Sequence, residues 1–205
     1  KHFNNTNVCA IDPGVRTFLT MYDPSGSTID IGNNLNEIMK KCLVIDSLKS
    51  KIRKFKGKRN KRYRLQKQKL NIIKKIKNCI SDCHHKITKW LSEKYKEVLL
   101  PLFETKKMAK KSTRKINSES TRSMLTWSHY KFRTLLDYKM TRTGNKLILC
   151  TEEYTSKTCT NCGKINHKLG SSKTFKCPTC KFTIDRDIGA ARNIFIKNYS
   201  LLTKC

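Results

Sequence analysis

The stretch NVCAIDPGVRTFLTMYDPSG, residues 7–26, decides the fold. Its first half is a short apolar run that ends at Asp12 and meets Pro13 and Gly14, two residues that break regular structure. That pattern predicts a buried strand running into a turn. TFLTMYDPSG shows partial alternation and a turn of its own, and STIDIG (27–32) adds a third short extended run. Three strands joined this tightly predict an antiparallel meander.

Beyond the meander the period changes. From about Asn36 the chain turns helical. Leu70, Ile73, Ile76, Ile80, Cys83, Ile87, Leu91 and Tyr95 recur every three or four residues, the spacing of a long amphipathic helix. EVLLP (97–101) is a short strand stopped by Pro101, and the polar run 104–120 reads as a loop. TRSMLTWSHYKFRTLLDYKMTRTG (121–144) restores helical spacing, with Met124, Trp127, Tyr130, Leu135 and Tyr138 facing inward and Gly144 as C-terminal cap. KLILC (146–150) is a further strand. The order is therefore β-β-β-α-β-α-β, followed by a cysteine-rich insert and a last helix from Asp187. No internal repeat is visible. This order fits an α/β, ribonuclease-H-like mixed sheet with long basic helices inserted, in which crossover helices make the later strands parallel to the first. Sites in such sheets gather at the carboxyl ends of the parallel strands.

The 205 residues carry 45 Lys and Arg against 15 Asp and Glu, a formal charge of +30. Such a surface points to a polyanion, and the usual intracellular polyanions are nucleic acids. A ribosomal-type RNA binder or a lysine-rich genomic bias would also raise the count, but neither removes the electrostatics. The chain has 10 cysteines, four of them in two CxxC pairs and six scattered, which fits a metal site in a reducing compartment better than a disulfide framework. No signal-peptide core precedes residue 12, and the longest apolar runs, such as VLLPLF (98–103), are too short to span a bilayer. A soluble intracellular protein is expected, with no membrane partner. Its oligomeric state is not written in the sequence.

Three acids stand at expected strand ends. Asp12 closes the first strand, and a D-P-G aspartate is often only a turn residue. Glu152 comes two residues after KLIL. Asp187 opens the final helix, with Ala190, Ala191 and Ile194 on its face, so small residues let that helix approach a sheet. Helix capping would also explain an aspartate there, and Asp185 competes for either role. Three carboxylates converging on one edge suit hydrolysis by two metal ions, and Mg²⁺ prefers such hard oxygen ligands.

Cys159-x2-Cys162 and Cys177-x2-Cys180, with 14 residues between the pairs, match a four-cysteine zinc ribbon. A closed Zn²⁺ shell of that kind is structural. Cys79, Cys83, His84 and His85 are assigned no metal. The cysteines read as core, and the histidines are candidates to face nucleic acid. Lys49 to Lys77 holds 15 Lys or Arg in 29 residues and no acid, with Phe55 and Tyr63 interleaved. A solvated helix face seldom lacks acids altogether. Arg53, Lys54, Lys58, Arg59, Arg62 and Arg64 are the candidates for phosphate contact, with Lys157 near the ribbon.

IDPGVRTFLTMYDPSG, DCHHKITKWL, TWSHYKFRTLLDYK, EEYTSKTCTNCG and CPTCKFTIDRDIGAARNIFIK together resemble the RuvC-type nuclease half of transposon-encoded TnpB proteins, most of all the Fanzor proteins. The likeness covers most of the chain in the family order. It implies an RNA-guided, Mg²⁺-dependent DNA endonuclease with guide RNA and DNA as partners, and a nuclear location if the source is eukaryotic or viral. Under it Asp12 is the first carboxylate and Asp187 the last. The usual TnpB second carboxylate is a glutamate at the end of the strand after the long helix, where this chain has Pro101. Fanzor-like proteins share that loss and place a glutamate just before YTSKTC, which implies Glu152, while Glu153 stands where the family often has alanine. A second departure is Gly189, where many TnpB proteins have asparagine. The implied division is a nuclease segment 1–158 with a basic helical insert at about 38–95, a ribbon 159–182, and a last nuclease segment 183–205. The resemblance also implies amino-terminal recognition domains. The first residue is Lys1, and so little precedes Asp12 that the chain reads as a fragment or a decayed gene copy. The rival reading is a catalytically silent zinc-ribbon nucleic-acid binder.

Overall fold

A computed structural model describes residues 7–15, 17–32, 35–103, 105–110, 117–170 and 172–202. The meander forms as expected. β1 (Val8–Pro13) pairs antiparallel with β2 (Leu19–Tyr22), and β2 pairs with β3 (Thr28–Ile31). The chain then leaves the sheet through α1 (Leu35–Lys54) and α2 (Arg59–Lys94), which pack on each other as a helical hairpin. It returns as β4 (Glu97–Pro101), parallel to β1 and buried along its whole length. Next come α3 (Thr105–Ala109), α4 (Ser118–Trp127) and α5 (His129–Arg142). β5 (Lys146–Cys150) then lies parallel to β4. The five-stranded order is β3-β2-β1-β4-β5. A 3₁₀ turn (Thr155–Lys157) leads into a two-stranded sheet of β6 (Thr174–Lys176) and β7 (Thr183–Asp185), and α6 (Arg186–Asn198) follows β7 directly.

Two apolar layers sandwich the main sheet. Cys9, Ile11 and Val98 pack toward α1, α2 and α5 around Ile76, Leu91 and Leu136. Val8, Ala10 and Leu99 alternate to the other face and meet Ile194 and Phe195 of α6. Ala190 and Ala191 are fully buried, so the small face of α6 gives the close approach expected of it. Leu99, with no exposed surface, is the kind of side chain whose truncation to Ala costs about 2–5 kcal/mol.

Several readings are corrected. The run 104–120 is not one loop, because α3 and the start of α4 fall within it; Glu104 and residues 111–116 lie outside the described residues. Leu70 is 59 % exposed, off the buried stripe of α2. The helical region 121–144 is two helices. Ser128 adopts φ 54°, ψ 53°, which ends α4 and starts α5 with a new phase. The inward set on α5 is therefore His129, Phe132, Leu136 and Met140, while Tyr130 and Tyr138 are exposed. Gly144 does close α5, with φ 71° and its N–H on the Thr141 carbonyl. His84 is buried rather than facing solvent. It stacks on Phe18 at 5.2 Å beside Trp127 and His129. His85 is exposed.

Among the described residues, no helix is long and apolar enough to cross a membrane.

Candidate active site

Asp12 lies near the carboxyl end of β1. Ala10 is registered with Leu99 and Pro101 with Cys150, so extending the β1 register by two residues brings Asp12 beside Pro101. Glu152 lies two residues beyond the end of β5. Two strand spacings of roughly 4.8 Å separate β1 from β5, a gap that a carboxylate on a long side chain narrows. Asp187 enters from the other side in the first turn of α6.

The charges of the other two acids are felt at Asp12. The Asp12 carboxyl is held well above the usual carboxylate range, first by burial, then by the negative charges of Glu152 and Asp187, with Arg186 opposing. Glu152 is also raised, by burial and by the neighbouring Glu153. Asp12 is the more enclosed of the two. In a chain of +30, a pocket in which anions repel one another is suited to a cation.

α6 and the ribbon fix this geometry. Asp185 is the helix cap, its Oδ1 accepting from the Asp187 and Ile188 N–H groups at 2.9 and 3.3 Å. The capping reading of Asp187 is thereby removed. Asn193 Nδ2 donates to the Thr155 and Thr158 carbonyls, both at 2.8 Å, and Asn198 Nδ2 donates to the Thr151 carbonyl at 3.1 Å. Both asparagines are buried, and they hold the 151–158 segment, with Glu152 in it, against the helix that carries Asp187. Arg186 reaches the Gly170 carbonyl at 3.0 Å and Ser156 Oγ at 3.5 Å. Sequence reading missed these three residues. For the asparagines the available signal was a polar residue on the apolar face of α6, at 193 and 198, beside Ile194. Glu153 turns away to an ion pair with Lys197.

The four ribbon sulfurs all lie within 4.8 Å of one another. Cys159–Cys180 and Cys162–Cys177 are each 3.6 Å apart, too long for a disulfide. A tetrahedral shell with Zn–S of about 2.3 Å needs S–S near ~3.8 Å, so the set fits zinc. The Phe182 backbone N–H draws the Cys180 thiol down to about 6. Burial raises Cys177, but the Cys180 and Thr179 N–H groups outweigh it, and the thiol is lowered. Cys162 by contrast is pushed up to about 11, so the thiolate character a Zn²⁺ ligand requires rests with Cys180 and Cys177. Cys79 and Cys83 form no such cluster among the described residues.

Of the candidates for phosphate contact, Arg53, Lys54, Lys58, Arg59, Arg62 and Arg64 are all exposed at the tip where α1 turns into α2. Lys157 is half-buried in the 3₁₀ turn, on a separate element beside the ribbon.

Other proteins are similar to this chain in sequence and in fold. Residues 129–194 match the model of the Cas12f1-like TNB domain. The chain is 37% identical over 194 residues to "Putative transposase A625R" of Paramecium bursaria Chlorella virus 1, covering 93% of this chain and 43% of that protein. TnpB-like protein L79 of Acanthamoeba polyphaga mimivirus is 30% identical over 194 residues, 92% of this chain and 36% of its own. The CRISPR-associated endodeoxyribonuclease Cas12f1 of Sulfoacidibacillus thermotolerans is 34% identical over 85 residues, 40% of this chain and 20% of its own. A chain in a CRISPR-Cas12f ternary complex shares the fold with TM-score 0.67 at 21% identity, over 95% of this chain and 39% of that one. The resemblance read from the motifs holds: the chain is similar to TnpB-like proteins, to viral transposases and to Cas12f-type proteins. It spans less than half the length of the viral relatives it matches.

Proposed function

We propose that the chain is the nuclease module of an RNA-guided, metal-dependent DNA endonuclease of the TnpB or Fanzor type, with a RuvC-like, ribonuclease-H-like core. The observation that supports this reading is the charge that Glu152 and Asp187, on elements far apart in sequence, exert on the buried Asp12. Their hard oxygen donors suit Mg²⁺, which in such sites activates water and stabilises charge on a phosphodiester. Asp12 supplies a nearly enclosed carboxylate, Glu152 a longer one from the edge strand, and Asp187 one from the helix behind them. Arg186 tempers their repulsion. The ribbon cysteines hold structural Zn²⁺ and launch α6 in the right direction. The basic hairpin contacts nucleic acid.

On this reading residues 1–158 and 183–205 form the nuclease fold around a ribbon at 159–182, inside a longer polypeptide that also grips guide RNA. Its place is intracellular, and nuclear in a eukaryotic cell. The test is Mg²⁺-dependent cleavage of a guide-matched DNA duplex, in a polypeptide that carries the amino-terminal segments the resemblance implies. Asp12→Ala, Glu152→Ala and Asp187→Ala should each abolish cutting and retain DNA binding. Retained cutting in any of the three would overturn the assignment.

A further inference from the structure

On the face of the sheet opposite α6, α2 and the α4–α5 corner enclose a cavity of ≈ 360 Å³. That volume falls within the range of small-ligand pockets, about 300–1,000 Å³. Lys77 and Ser81, one turn apart on α2, line it together with Asn78, and His84 continues the same helix face. Ser128 and Lys131 close it from the start of α5. None of its lining residues is acidic.

The charge here is unusual for its position. Lys131 sits in the first turn of α5, which contains no acid, and a cation at that end opposes the helix dipole. Lys77 faces it from α2. Ser128 makes no side-chain capping bond, so the helix start keeps its donor character toward an incoming group. Two lysines, an amide and three hydroxyls line an acid-free hollow and offer donors and positive charge to an anion.

We propose that this cavity is a second nucleic-acid contact, which seats a backbone phosphate of a bound strand between Lys77 and Lys131. The proposal rests on the nucleic-acid partner in the proposed function and not on its nuclease chemistry. Its lining includes neither the residues of the basic hairpin tip nor the three carboxylates. A strand seated here would pass along α2 on its way from the hairpin.

The test is binding of labelled single-stranded RNA and DNA to this chain over a salt series, without divalent metal. Lys77→Gln/Lys131→Gln should weaken binding and lower the log–log salt slope by about 0.7–0.9, the loss of the one phosphate contact. Lys86→Gln/Lys89→Gln removes the same charge from lysines paired with Asp82 and Glu93 on α2, and should leave the slope close to that of the parent. Ser81→Phe keeps both lysines but fills the hollow, and should weaken binding with an unchanged melting midpoint. Equal losses in the two lysine pairs, or parent-like binding by Ser81→Phe, would overturn the proposal. So would protection of the fold by inorganic phosphate that oligonucleotides at equal phosphate concentration fail to give. None of these outcomes touches the cleavage test, so failure here leaves the nuclease reading standing.

Discussion

Lys197 Nζ lies 3.2 Å from both the backbone carbonyl oxygen and the Oε2 carboxylate oxygen of Glu153. This pair on the outer side of α6 commits Glu153 to the surface and leaves Glu152, its neighbour, to act on Asp12. The chain turns at this point, the Thr155 N–H bonding to the Glu152 carbonyl at 3.2 Å, and Lys197 engages one glutamate of the two.

Glu152→Ala should therefore lower Mg²⁺-dependent cleavage by more than about 100-fold, beyond the loss expected for a supporting contact. Glu153 is 73% exposed in its ion pair, and exposed pairs contribute about 0–1 kcal/mol. Glu153→Ala should cut at nearly the parent rate. Single-turnover kinetics on both variants decides the matter, and a dispensable Glu152 beside an essential Glu153 would reverse the placement.

The ribbon predicts one tightly bound Zn²⁺ per chain, measurable by elemental analysis. Cys177→Ser should release it and unfold the β6–β7 hairpin. Because α6 starts where β7 ends, the same variant should also lose cleavage. A folded, zinc-free chain would sink the ribbon assignment.

Asp12 and Glu152 bind protons more tightly folded than unfolded. Their contribution to stability is present below the unfolded values, near ~4, and is lost as pH rises through the raised folded values. Chemical unfolding midpoints without divalent metal should accordingly include a component that falls with rising pH, and Asp12→Asn should reduce it. Added Mg²⁺ should stabilise the parent more at neutral than at acid pH, because it takes the ionised carboxylates. A pH-independent Mg²⁺ effect would contradict the cluster.

His84 and His129 act in the opposite sense. Burial lowers each to about 4, against an unfolded value near ~6.5. Above that value both states are neutral. As pH falls from about 6.5 to 4 the unfolded chain takes up protons that the folded chain refuses, and stability is lost. The full shift of one histidine corresponds to about 3 kcal/mol. His84→Phe, which preserves the stack on Phe18, should be less acid-sensitive than the parent; an identical acid transition would refute the buried neutral state.

Neutralising Arg53, Lys54, Lys58, Arg59, Arg62 and Arg64 together should weaken RNA and DNA binding almost uniformly across sequences. Each lost phosphate contact should flatten the salt slope by about 0.7–0.9. Unchanged affinity would make the hairpin tip a solvated face.

Much of this molecule is legible in its sequence because the signals are local. The D-P-G turn after an apolar run places Asp12 at a strand end, the CxxC spacing brings four sulfurs together, and Ala190, Ala191 and Ile194 mark the face of α6 that meets the sheet. What stayed hidden depends on contacts made across the chain or on a single backbone angle. The left-handed Ser128 resets the helix phase and exposes Tyr130 and Tyr138, and periodicity within one window cannot register a break whose cause is packing. His84 looks like a surface histidine until Phe18, 66 positions earlier in the chain, stacks on it. Glu152 and Glu153 are chemically the same residue at adjacent positions. By itself the sequence determined that an acid would stand at the end of β5. Tertiary structure set the two apart, because Asn198 anchors the segment and Lys197 draws Glu153 outward from a helix more than forty residues away.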